Sequence, residues 1–207
     1  MWWVPADQAW AEAPLLIPAD LGRGWRTVPM LNNTEHADPF GPGEAADAVR
    51  SARARRRLTA LDEGQAWRRR NDAILAVARV EVFADADQRN HRATWQARAE
   101  DCLDATWRAR WQERDVEPGW IEATWMRPDD RPREAFGDPE VDESVDWLVV
   151  EDHTGPDVAV YEHVTSWCGR LHHTLTVRHV LGVDLRGPIA NACRSVLARA
   201  LEGPPTY

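Results

Sequence analysis

The chain has 207 residues and a formal net charge of -9, which allows one or at most two globular domains. All 25 residues in the Lys+Arg total are arginines, so no side chain supplies an amine. That excludes Schiff-base enzymes, pyridoxal phosphate chemistry and the P-loop lysine, because a guanidinium does not deprotonate in a protein.

Residues 1–43 read as a loop-rich segment. Within it, Pro14 to Gly22 predicts a short helical turn and a bend before Trp25, and Leu31 to Gly43 is turn chemistry throughout. Residues 45–70 carry eight arginines against three acids and read as a solvated helix face pairing with the protein's own acids. The run from Asp72 to Phe83 ends in alternation and predicts a strand. Asp85 then caps a predicted helix of about 30 residues, reaching Arg114, whose apolar stripe includes Trp95, Ala99, Cys102 and Leu103.

Past Pro118-Gly119 the texture changes to strands between turns: Trp120 to Met126, Val145 to Glu151, Val158 to Trp167 and His173 to Leu181. Short connectors favour antiparallel neighbours. A helix after Pro188, from Ile189 to Leu201, closes the chain ahead of Gly203-Pro204-Pro205, with residues 204–207 as a tail. The expected architecture is a single α+β domain over residues 1–203: an antiparallel sheet of about five strands packed against a long central helix and a C-terminal helix.

The opening Leu15-Leu16-Ile17-Pro18-Ala19-Asp20-Leu21-Gly22-Arg23-Gly24-Trp25 resembles the start of actinobacterial PknH-like extracellular sensor domains and lipoproteins. Val80-Glu81-Val82-Phe83 ahead of a long helix, and a late meander with Thr174-Leu175-Thr176-Val177 before a final helix, are similar to that family too. The resemblance implies an α+β domain with a sheet-lined cleft for a small ligand. The chain departs from the family in two respects: it shows no export signal, lipobox or anchor, and it lacks an early cysteine. With neither a basic n-region nor an apolar h-region at the N-terminus, a cytoplasmic location is expected. No stretch approaches the length of apolar chain that crosses a membrane. Cys102, Cys168 and Cys193 form an odd set with no zinc spacing and are expected to be reduced thiols.

Five of the seven histidines fall between residues 153 and 179. Counting by twos along the strands puts Glu151 with His153, Tyr161 with His163, and His173 with His179. Were these rows to share a face, Glu151, His153, Tyr161, His163 and His179 would form a catalytic set with a carboxylate beside an imidazole, the minimum for acid–base work near neutral pH. The competing reading has Glu162, Thr174, Thr176 and Arg178 on a solvated face, with the histidines as satisfied buried residues. A one-residue slip in register decides between them.

Twelve tryptophans are too many for one core to enclose, so Trp147, Trp167 and Trp125 are candidate walls of a cleft, with Arg178 and Asp47 as further substrate-binding residues. Trp2, Trp3 and Trp10, in a poorly structured start, are candidates to cover an interface or clamp the cleft. Arg53, Arg55, Arg56 and Arg57 are candidate docking residues for an acidic protein partner or an anionic ligand. No metal site, cofactor or nucleic-acid partner is expected: HExxH, paired CxxC and GxGxxG are absent, and the net charge opposes nucleic acid.

Three functions fit. One is a cofactor-independent enzyme performing elimination, cyclisation or hydrolysis on a small metabolite. The second is a non-catalytic ligand-binding or sensing domain, and the third an interaction subunit docking an acidic partner.

Overall fold

A computed structural model describes residues 4–29, 50–60, 74–85, 121–126, 145–153 and 158–203. Among these lie ten elements: α1 (Pro5–Glu12), α2 (Pro18–Leu21), β1 (Trp25–Val28), β2 (Arg50–Ala60), β3 (Ile74–Phe83), β4 (Ile121–Trp125), β5 (Val145–Asp152), β6 (Ala159–Cys168), β7 (Leu171–Val180) and α3 (Arg186–Leu201). The helix expected between Asp85 and Arg114 falls, from residue 86 onward, outside the described residues.

The seven strands form one sheet in the order β1-β2-β3-β7-β6-β5-β4, every pair antiparallel. The α+β class is as expected, but the sheet exceeds the predicted five strands by β1 and β2. Residues 50–60 of the arginine block form strand β2 rather than a solvated helix face, and the rest of the block, with Arg68, Arg69 and Arg70, lies outside the described residues. Ala52, Ala54, Leu58 and Ala60 turn inward while Arg53, Arg55 and Arg57 turn to the opposite side. Alanine carries little apolar signal, and Arg56 occupies an inward position, so the alternation is weak in the sequence.

Cross-strand partners share a face, so the register sorts every strand residue. One side carries Ala52, Ala54, Ala76, Ala78, Val80, Trp147, Val164, Leu175 and Val177, and the helices cover it. Helix α1 lies along β2 and β3, and α3 lies along β6 and β7. The α3 residues Ile189, Ala192, Cys193, Val196 and Leu197 are buried against this helical face. Cys168 and Cys193 are both free thiols, and burial pushes the Cys193 thiol up to about 12. Cys102 lies outside the described residues.

Arginines clip the helices down. Arg199 on α3 holds Asp20 of α2 through two donors at 2.7 and 3.0 Å, and Arg56 Nη1 donates to the Leu16 carbonyl at 3.0 Å. Trp10, placed by sequence in an unstructured start, is a buried residue of α1 whose Nε1 donates to the Ala200 carbonyl at 3.2 Å. The two-residue turn Gly169-Arg170 between β6 and β7 takes a positive φ of 54° at Gly169 and delivers Arg170 to α1. There Arg170 grips Asp7 at 2.7 and 3.1 Å and donates to the Phe83 carbonyl at 2.6 Å.

The hydrogen bonds from Arg170 hold the Asp7 carboxyl below its ordinary 3.8. A carboxyl depressed in the folded state adds stability that is complete above the unfolded value and vanishes as pH falls through the folded one. Asp7→Asn is therefore expected to cost about 1–2 kcal/mol at pH 7, since Arg170 is partly solvent-screened, and less at pH 2. Urea unfolding at both pH values checks this; an equal loss at pH 2 would assign the effect to something other than the ion pair.

Candidate functional site

The opposite side of the sheet is polar, and its centre is buried. Row by row from β2 to β6, the register aligns Arg53, Glu81, His172 and Trp167; then Arg55, Arg79, Thr174 and Thr165; then Arg57, Val77, Thr176 and His163. Arg178 and Tyr161 oppose each other in the next row. His163, Thr165, His172, Thr174, Thr176 and Glu81 are all buried, whereas the arginines, Tyr161 and Trp167 around them are half-buried.

Some of this polarity is internally satisfied. Glu81, fully enclosed, lies 3.6 Å from Arg53 Nε and 3.5 Å from His172 Nδ1. The His172 ring sits between Phe83 and Trp167, with centroids at 6.3 and 5.5 Å. His163 Nδ1 is 2.8 Å from the Thr176 hydroxyl, and Arg57 reaches the Pro29 carbonyl.

Some buried polar atoms of this face have no hydrogen-bond partner. Thr165 Oγ1, Thr174 Oγ1 and Trp167 Nε1 are buried atoms without a hydrogen-bond partner, and they sit on adjacent rows of β6 and β7. Thr165 is 3% and Thr174 8% exposed. Buried polar side chains are nearly always paired, so unpaired atoms gathered in one patch are unusual.

The expected acid–base set does not assemble. Glu151 opposes Val160, and Val160 opposes His179, so Glu151, His153 and His179 lie on the helical face. His163 opposes Thr176 and Leu148, so it lies with Tyr161 on the polar face. The periodicity within each strand is as counted; the offset between strands separates the rows. His172 and His173 project to opposite sides, as read from their adjacency.

On the helical face, His179 pairs instead with Glu162, Nε2 to Oε1 at 3.6 Å, each side chain 4% exposed. Trp147 is fully buried beside them and donates Nε1 to Glu162 at 2.5 Å, so it packs the core rather than walling a cleft. Glu151 and His153 do meet, at 3.4 Å, on the β5 edge of that face. With Glu122 of β4 they bring donor atoms within 4.8 Å of one another, the set among the described residues whose chemistry could hold a metal ion.

Of the substrate-binding candidates, Trp167 and Arg178 belong to the polar face. Trp125 sits on β4 at the register position opposite Leu148, and Asp47 lies outside the described residues. The four candidate docking arginines divide. Arg53, Arg55 and Arg57 share the polar face, and Arg56 is turned to the helices. Thr165 and Thr174 were not legible as site residues, because threonine in a strand is an ordinary β former.

No family model matches the chain, and no curated protein matches it. Among solved structures it is similar to the extracellular domain of PknH from Mycobacterium tuberculosis. The identity is 12%, the TM-score 0.45, and the match covers 93% of this chain and 95% of that one. This is the family that the opening residues resemble. Among the described residues, no helix is long and apolar enough to cross a membrane.

Proposed function

We propose that this chain is a non-catalytic domain that binds a small ligand on the polar face of its sheet. The observation that carries the reading is the orphaned group of Thr165, Thr174 and Trp167, buried donors and acceptors that a bound molecule satisfies. The half-buried Tyr161, Trp167 and arginines around it supply the rim. Sensing is favoured over turnover because Glu151 and His163, the carboxylate and imidazole expected to act together, lie on opposite faces of the sheet.

A thermal-denaturation screen of small metabolites, followed by the same screen on Thr165→Val/Thr174→Val, tests this. The variant is expected to be more stable than the parent by about 1–3 kcal/mol, because two buried unpaired hydroxyls become methyls. It is also expected to lose the stabilisation by ligand, and the ligand is expected back chemically unaltered from the wild-type protein. Ligands that stabilise both proteins equally would place binding elsewhere, and a converted ligand would mean turnover.

A further inference from the structure

We propose that Glu122, Glu151 and His153 form a binding site for a first-row divalent transition cation, at the edge of the sheet where β4 meets β5. The site lies on the helical face and is independent of the binding role proposed for the polar one.

Strand geometry gathers the three side chains. Glu151, near the end of β5, and His153, just past it, are two residues apart and share a side. Glu122 of the edge strand β4 is the direct cross-strand partner of Glu151. Sequence spacing does not announce the set, because one donor comes from a different strand. The donor atoms all lie within 4.8 Å of one another, and His153 Nε2 is 3.4 Å from Glu151 Oε2. Ligands about 2.1 Å from a zinc ion stand about 3.4 Å apart across a tetrahedron, so this pair is already at ligand spacing. Glu122 is exposed, and a turn of its side chain brings in the second carboxylate.

Two features set the cluster apart from ordinary surface carboxylates. His153 Nε2 is a buried atom with no hydrogen-bond partner, although it faces the Glu151 carboxylate. A ring nitrogen enclosed beside a carboxylate without a hydrogen bond is placed to share a cation with it. Glu122 and Glu151 also set two carboxylates directly opposite each other, an unfavourable pairing that a divalent cation between them reverses. Among the described residues, no arginine forms an ion pair with either.

The donor set selects the class of cation. One imidazole with two carboxylates suits zinc, manganese or iron(II), whereas calcium and magnesium take oxygen ligands throughout. Helix α3 lies along β6 and β7, and Glu151 and His153 are only half-buried, so water reaches the remaining coordination positions. Bound there, the ion ties the edge strand to β5 through side chains as well as through the backbone ladder.

Isothermal titration of the chelator-treated full chain with zinc chloride tests the assignment. One ion per chain is expected, with micromolar or tighter affinity. His153→Ala and Glu122→Gln are each expected to weaken it by about tenfold or more, since loss of a ligand costs at least as much as loss of an outer partner. Glu122→Gln keeps the shape of an exposed residue and so serves should His153→Ala fail to fold. Cobalt(II) in place of zinc is expected to show the visible bands of oxygen and nitrogen ligation without thiolate charge transfer, and calcium is expected not to displace either ion. Thr165→Val/Thr174→Val, altered on the other face, is expected to bind zinc as the parent does, so the two readings fail separately. Absence of binding at micromolar zinc, affinity unchanged in both edge variants, a thiolate band, or equal competition by calcium would overturn the proposal.

Discussion

Acidification from pH 6.5 to about 3 is expected to remove on the order of 5 kcal/mol of folding stability through His173 alone. His173 is fully enclosed on the helical face, and burial, first of all, lowers its pKa from 6.5 to about 3. The positive fields of His172, Arg199 and His163 push in the same direction, and Asp20 opposes them. In the unfolded chain the imidazole takes up a proton below 6.5; in the folded chain it does so only near 3. The stabilising difference is therefore complete above pH 6.5 and is lost progressively between those values.

The slope in this window is about one proton, or about 1.4 kcal/mol per pH unit. His173→Gln keeps a polar partner for the Ser166 hydroxyl, now 3.3 Å from His173 Nδ1, and does not titrate. Urea unfolding between pH 5 and 6.5, above the range of ordinary carboxylates, is expected to show the slope reduced in the variant by about half a proton at the upper end and about one at the lower. An unchanged slope would mean that His173 is not the group held neutral.

The second large effect concerns Trp147. Its ring fills the core on the helical face and its Nε1 donates to the buried Glu162, which also faces His179. Trp147→Ala is expected to cost about 3–5 kcal/mol from the cavity, with a further loss because Glu162 gives up a donor in the core. Trp147→Phe retains most of the volume and is expected to cost about 1–3 kcal/mol, chiefly through Glu162. Because Trp147 lies on the opposite side of the sheet from Thr165 and Thr174, ligand affinity in the Phe variant is expected to stay within twofold of wild type. A tenfold loss of affinity in a folded Trp147→Phe protein would return this tryptophan to the binding site.

Strands β3 to β7 and helix α3 were legible because each carries a strong local signal: alternation with β-branched residues in the strands, Pro188 and Gly203 around the helix. Strand β2 was not, since its inward residues are mostly alanines and its outward ones arginines, a composition that also suits an exposed helix. The site was harder still. Counting by twos correctly groups Tyr161 with His163 and Glu151 with His153, but no residue in either strand announces that Glu151 falls opposite Val160. That offset sends the histidine of β6 and the carboxylate of β5 to different faces. The groups left unpaired on neighbouring rows are two threonines and the Trp167 indole, and nothing in the local sequence of the threonines distinguishes them from ordinary β-sheet residues.

The missing lysine takes on a structural meaning in this fold. Arg170 with Asp7, Arg199 with Asp20, and Arg53 with Glu81 each place a guanidinium where several acceptors or a buried carboxylate must be met from a fixed direction. The same residue type clips the helices to the sheet and reaches a buried carboxylate on its polar face.

The most direct measurement is a residue-resolved amide and indole chemical-shift map of the protein titrated with a small metabolite that raises its melting temperature in the denaturation screen. The account predicts saturable shifts at Thr165, Thr174 and the Trp167 indole, with Trp147 and His179 on the far side of the sheet unmoved. Shifts concentrated on the helical face, or at the Glu122–Glu151–His153 edge, with the threonine pair silent, would contradict it.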